Sequence, residues 1–285
     1  MNRRERFQQM LRAPGTRVAF GVGDGLSARV AAEAGAELLY MSGYYVAATH
    51  GRPDVGLLTM TEMTTRCREI TAAVDLPVIV DADDGYGGPA NVARTVMEFE
   101  RAGAVAIQLE DQPFPKKCGA LSGLALLPPE TMVHKIGAAV DARRDPSLAL
   151  IARTDARRVE GFDAALARAL AYQKAGADIV FFQMPESAEE IGKACAALSV
   201  PTLFTFSESG RVPLLPPDEL ERLGVKIAVY PLTLMMTAIT AMRKAAAELS
   251  RARTNRHLVS EYVPWDSVNR LTGLPDVEAF ETRHH

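Results

Sequence analysis

The chain has 285 residues and a mass of 30.8 kDa, with 32 basic against 35 acidic side chains and a formal charge of −3. Apolar residues make up 48% and charged residues 24%, the balance of an ordinary globular protein, and the near-neutral charge excludes a general nucleic-acid binder, which needs a basic excess. Three scattered cysteines (Cys67, Cys118, Cys195), a start (MNRRERFQQMLRAPG) without an apolar core and the lack of an 18-residue apolar run argue against a disulfide scaffold, a signal peptide and a membrane span, and for the cytoplasm.

In chain order, short apolar runs rich in β-branched residues fall at 18–24, 37–43, 77–85, 104–112, 148–156, 178–186, 201–208 and 227–231. They are nearly continuous rather than alternating, which suits parallel strands covered on both faces. Helical periodicity fills 26–34, 61–74, 89–101, 129–143, 162–174 and 188–198. An Ala-Gly-Ala turn recurs at 34–36, 102–104 and 175–177, where glycine closes a helix before the next strand. Eight strands with intervening helices predict a (β/α)₈ barrel over about 18–245, in a single domain 1–285 with a helical tail over about 251–285. A doubly wound open sheet is the alternative, but Gly21-Val22-Gly23-Asp24-Gly25 lacks the GxGxxG spacing of its phosphate loop. Residues 113–129, long and rich in Pro and Gly, read as a lid after the fourth strand.

The active site of such a barrel lies at the C-terminal ends of its strands. Polar residues gather there: Asp24, Ser42, Asp81, Asp83, Asp84, Glu110, Asp111, Arg153, Asp155, Gln183, Glu186, Thr205, Glu208 and Tyr230. A single Asp at a strand end is commonly a helix N-cap; polar ends on most strands at once point to a site. Asp81 and Asp83 stand at i and i+2, on one face of a strand. Two such carboxylates repel unless a cation, an Arg or backbone N–H groups satisfy them. With Glu110 on the next strand they make a sparse oxygen site suited to Mg²⁺, which Mn²⁺ can replace. Lys116-Lys117-Cys118-Gly119 sets a thiol beside two ammonium groups, which lowers its pKa for acid, base or nucleophilic work; the bland reading is an exposed basic loop. Arg153 follows an apolar run, and its partner is either a substrate carboxylate or Asp155, Glu186 or Asp83. Ser42-Gly43-Tyr44 resembles an anion-binding turn, and Tyr40 shares a face with Ser42. Met235-Met236 reads as helix core.

Taken together, YMSGYYVAA (40–48), RPDVGLLTMTEM (52–63), PVIVDADDGYGG (77–88), QLEDQPFPKKCG (108–119), IARTDA (151–156), MPES (184–187), ESGRVP (208–213) and YPL (230–232) resemble the isocitrate lyase and phosphoenolpyruvate mutase superfamily. The KKCG segment is similar to its short-chain carbon–carbon lyase branch, whose members cleave dimethylmalate or methylisocitrate. The resemblance implies a barrel whose eighth helix is swapped between subunits, a homodimer or homotetramer, and a di- or tricarboxylate substrate. It implies Cys118, Lys116, Glu110 and Tyr40 as catalytic residues. Substrate would be held by Ser42, Gly43, Tyr44, Asp54, Arg153, Glu186 and Thr205, and Mg²⁺ by Asp81, Asp83 and Glu110. Oxaloacetate hydrolysis or decarboxylation, phosphonate chemistry and a non-catalytic diacid-binding barrel are the competing readings. Three positions depart from the lyase pattern: Ala120 where the loop carries His, Thr205 where methylisocitrate lyases carry Asn, and Met236 where a basic residue is expected. The last two remove contacts to a third carboxylate and favour a smaller diacid.

Overall fold

The computed structural model describes residues 1–206 and 210–284, so Glu208 and the start of the ESGRVP segment lie outside the described residues. Eight parallel strands close into a barrel in chain order: β1 (Arg17–Val22), β2 (Leu38–Met41), β3 (Val78–Asp81), β4 (Ala106–Glu110), β5 (Ala149–Thr154), β6 (Ile179–Phe182), β7 (Thr202–Thr205) and β8 (Ile227–Tyr230). All eight expected strands are present. Each is shorter than its apolar run at the C-terminal end.

Helix α1 (Arg3–Arg12) precedes the barrel, started by a capping box between Asn2 and Glu5. After β1 comes α2 (Gly25–Glu33), and after β2 come α3 (Gly43–Thr49) and α4 (Met60–Ala73). The next connections carry α5 (Pro89–Arg101), α6 (Pro129–Ala142), then α7 (Arg157–Glu160) with α8 (Phe162–Lys174), then α9 (Ala188–Ala197) and α10 (Pro217–Arg222). Beyond β8 runs α11 (Thr233–Ala252), followed by α12 (Trp265–Thr272) and α13 (Leu274–His284). The expected helices begin and end within a residue of those observed; α1, α3, α7 and α10 have no counterpart in the sequence reading. Asp24 proves to be an N-cap, its Oδ1 accepting the Ser27 N–H at 2.7 Å.

Alternate strand residues divide the core. Leu39, Met41, Val78, Val80, Ile107 and Leu109 face outward and pack under α2, α4, α5 and α6. Leu38, Tyr40, Ile79, Ala106, Ile151, Ile179, Phe181, Leu203 and Val229 face inward and fill the barrel. Phe7 of α1, fully buried, joins that inner cluster and closes the floor. α11 departs from the pattern: of its 20 residues only Met235 is buried.

Candidate active site

Counting by two along each strand leads from this apolar interior to a polar mouth. Tyr40 leads to Ser42, Ile79 to Asp81, Ala106 and Gln108 to Glu110, Ile151 to Arg153 and Asp155, Phe181 to Gln183, and Leu203 to Thr205. A cavity of ≈ 190 Å³ opens there. Of the expected residues, Tyr40, Ser42, Tyr44, Asp54, Asp81, Cys118, Arg153 and Thr205 line it, together with Gly119, Ala120, Leu121, Gln183, Met184, Pro231, Leu232 and Met236.

Asp81 ends β3 and faces the cavity. Its Oδ1 accepts from Gln108 Nε2 at 3.0 Å and from the Asp83 N–H at 3.2 Å, and its Oδ2 accepts from the Gly43 N–H at 3.2 Å. The approach is so close that a Cβ on residue 43 would lie 2.8 Å from Asp81 Oδ2, so a larger residue would displace that carboxylate. The Gly43 N–H is therefore engaged by a carboxylate, and the anion-binding reading of the Ser42–Tyr44 turn is corrected at that position. Ser42 itself caps α3.

Asp83 does not continue the strand face. Its φ is +50°, a left-handed conformation that costs a non-glycine residue energy, and its Oδ1 lies 2.6 Å from Lys116 Nζ. The same ammonium reaches Asp54 Oδ1 at 2.6 Å. Glu110 is fully buried beneath the cavity, with Oε2 3.2 Å from Arg153 Nη1. Its Oε1 has no hydrogen-bond partner among the described residues. Arg153 is also bound by Asp155, Nε to Oδ2 at 3.0 Å and Nη2 to Oδ1 at 2.8 Å.

Burial dominates the electrostatics of these groups. It pushes Asp83 up against the pull of Lys116, and holds Glu110 well above the carboxylate range in spite of Arg153. For Lys116 burial opposes the charge, but Asp83 and Asp54 outweigh it and keep the ammonium protonated. Tyr40 is raised well above the usual phenol value by burial and then by Asp81; its hydroxyl donates to Gln108 Oε1 at 2.6 Å.

Residues 111–128 carry no regular element, and their middle is seated on the mouth. The Cys118 N–H donates to Asp54 O at 3.0 Å. Gln112, buried, donates from Nε2 to Lys117 O at 2.9 Å and to Asp155 Oδ2 at 3.1 Å, and accepts the Lys117 N–H at 3.0 Å. The expected low thiol pKa is overturned: burial raises Cys118. Lys116 is neutralised by Asp54 and Asp83, and Lys117 turns away to Gly123 O. The thiol is thus kept protonated, as a proton donor requires.

The expected metal ligands Asp81, Asp83 and Glu110 stand close to one another but do not converge on one point. The donors are all carboxylate oxygens, one of them the orphaned Glu110 Oε1, and they fit a hard cation. Among the described residues no three His, Cys, Asp or Glu side chains form a ready group around one point, because Lys116 and Arg153 hold Asp83 and Glu110. A cation that keeps most of its waters and takes one or two carboxylates suits such a sparse set.

Residues 7–250 match the family model of phosphoenolpyruvate phosphomutase. The chain belongs to that family. It is similar to 2,3-dimethylmalate lyase of Eubacterium barkeri, 43% identical over 99% of this chain and 98% of that protein. It is also similar to 2-methylisocitrate lyase of Aeropyrum pernix, 42% identical over 92% and 84%. A crystal structure of 2,3-dimethylmalate lyase superposes with a TM-score of 0.94 at 36% identity, covering 100% of this chain and 96% of that one. A phosphonopyruvate hydrolase of the same fold holds oxalate and Mg²⁺, at a TM-score of 0.91 and 28% identity over 99% of each chain. With lyase relatives over nearly its full length, this family member is an enzyme of the lyase kind.

Two expectations for this family member are corrected by its geometry. Glu186 does not reach the cavity: its side chain is 63% exposed and pairs with Arg157 at 2.7 Å. The strand face ends at Gln183, because Met184 turns left-handed with φ +57° and breaks the count of two. Met236 is not helix core but cavity wall. Gln108 was missed although it stands two residues before Glu110 on β4; the i, i+2 rule would have found it. Gly43, Asp83, Glu110 and Lys116 lie behind the lining rather than in it.

Proposed function

We propose that the chain cleaves a carbon–carbon bond of a 2-hydroxy dicarboxylate bearing alkyl substituents, giving a 2-keto acid such as pyruvate and a second carboxylic acid, with Mg²⁺ or Mn²⁺ as cofactor. The lining of the cavity carries this reading. Arg153 is the one cation among its described lining residues, and Leu121, Met184, Leu232 and Met236 form an apolar wall. A third carboxylate would meet Met236 and a Thr205 hydroxyl that already donates to Gln183 Oε1 at 2.7 Å. Similarity to 2,3-dimethylmalate lyase supports the same class.

Asp81, with Asp83 and Glu110 directly or through bound waters, would hold the metal, which would supply Lewis-acid stabilisation of negative charge on the substrate oxygens. Arg153 binds a substrate carboxylate through N–H groups left over from Asp155, and Ser42 and Tyr44 orient it. Lys116, fixed by Asp54 and Asp83, holds the loop end on the site. The hydroxyl proton goes to Glu110, whose Oε1 has no hydrogen-bond partner among the described residues; Tyr40 keeps its own proton. The carbon–carbon bond then breaks, its electron pair passing to the departing carboxylic acid as an enolate. The Cys118 thiol protonates that carbon, and the seated loop excludes water from it.

The same reading includes a homo-oligomer formed by exchange of α11. That helix exposes Met236, Met242 and Leu249, and an apolar groove of ≈ 560 Å³ runs between it and α2 and α3. Among the described residues no helix is long and apolar enough to cross a membrane, and the free cysteines fit a cytoplasmic enzyme. The test is keto-acid release from a panel of alkyl-substituted 2-hydroxy diacids, methylisocitrate and oxaloacetate, with and without Mg²⁺. Metal-dependent turnover highest on an alkyl-substituted diacid supports the reading. Preference for methylisocitrate or oxaloacetate overturns its substrate, and metal-independent turnover overturns its cofactor. Light scattering of the purified protein decides the oligomer.

A further inference from the structure

The tip of the 111–128 loop presents three consecutive main-chain carbonyls, and each meets a guanidinium group. Arg158 of α7 donates from a single nitrogen, Nη1, to Gly119 O at 3.0 Å and to Leu121 O at 2.9 Å. Arg211, in the connection between β7 and α10, donates from Nη1 to the carbonyl between them, Ala120 O, at 3.0 Å. Beneath this grip Gly119 rests on the site itself. A Cβ there would lie 2.5 Å from Asp155 Oδ1 and 2.6 Å from Arg153 Nη2. The loop tip is therefore pressed between two arginines outside and the Arg153–Asp155 pair inside, with Cys118 next to the clamped residues.

We propose that Arg158 and Arg211 are positioning residues that form a catch for this loop. They act through the backbone of residues 119–121, so the side chain at position 120 takes no part in the catch. Charge-assisted bonds to carbonyls are the stronger class of hydrogen bond. Two nitrogens that release three carbonyls free the tip as a unit. Opening carries Cys118 off the mouth; closing brings it back and shuts out water.

The readout is the rate at which iodoacetamide alkylates Cys118, followed by peptide mass spectrometry on the full chain without substrate. Arg211→Gln is expected to alkylate about tenfold faster than wild type, the loss of roughly one charge-assisted bond from the closed state, and Arg158→Gln, which gives up two, at least as fast. The double variant should be faster than either. Arg158→Lys should stay near the wild-type rate, because one ammonium can bridge both carbonyls. Arg211 is exposed, so its variant decides the matter even if Arg158→Gln fails to fold. Wild-type alkylation in Arg211→Gln overturns the catch. The activity arm rests on the proposed role of Cys118: kcat should fall with KM little changed. Alkylation is read without turnover, so failure of the lyase reading and failure of the catch give different results.

Discussion

The two halves of the barrel interior are built on the same strands and obey opposite rules. Below Tyr40, inward residues are apolar and fully buried, and α1 seals them with Phe7. Above it, Asp81, Asp83, Glu110, Lys116, Arg153 and Asp155 crowd together, every one nearly or fully buried. The floor gains stability from each side chain it buries. The mouth must desolvate charges, and only mutual pairing makes that tolerable. Among the described residues, three of the four non-glycine residues with positive φ, Asp83, Tyr86 and Met184, border the mouth and none the floor. Backbone strain and buried charge thus sit together where chemistry is placed, and the floor supplies the stability that carries them.

Substitutions on the two sides should separate stability from turnover. The largest effect is expected at Asp81. Asp81→Ala, or removal of divalent metal with EDTA, should lower kcat/KM by roughly 10⁴-fold, while the variant, whose Gln108 and Gly43 donors are left unpaired, loses about 1–3 kcal/mol of stability in thermal unfolding. Full activity in a metal-free sample would break the division. Next comes Cys118→Ser, which should keep diacid binding by calorimetry and lose about 10³-fold in kcat. Wild-type turnover there would remove the thiol from the mechanism. On the other side, Phe7→Ala should cost about 3–5 kcal/mol of stability in a denaturant titration, with kcat per folded molecule unchanged. A drop in kcat would show that the floor also shapes the site.

The smallest effect concerns Asp111, which lies behind the mouth, on the outer side of the barrel against Tyr172 and Arg168 of α8. Burial, then Asp155, raise its pKa to about 6, while the Asp155 N–H, Thr154 and Tyr172 donate to it and work the other way. The folded state therefore binds more protons than the unfolded one between its ordinary value and about 6. Stability from this group is greatest below that window and is lost as pH rises through it. Unfolding measured from pH 4 to 7 should show this downward slope in the wild type and less of it in Asp111→Asn. An equal slope in both would assign the titration elsewhere.

The floor was the legible half. Continuous apolar runs and Gly-closed helices carry their signal locally, so β1 to β8 fall where the pattern places them. The mouth was legible in its residue types and less so in its geometry. A left-handed residue at Asp83 or Met184 has no local mark, because the surrounding loops impose it, and the counts to Asp83 and Glu186 fail at those two kinks. The Cys118 pKa was read from its sequence neighbours. In the folded chain Lys116 belongs to Asp54 and Asp83, 62 and 33 residues away, and burial decides the thiol instead. α1 and α3 were missed for another reason: one is polar on most faces, and the other is a seven-residue helix that exists to bring Gly43 against Asp81.

Phe7 has one more effect. Together with the inward side chains it leaves no passage through the packed interior, so the cavity is reached from the mouth, where the loop that carries Cys118 is seated. Substrate, both fragments and stray water then share that side. The two products then depart in sequence rather than through separate exits, and the fragment lying nearer the loop goes first. Initial-rate inhibition by each product would read that order directly.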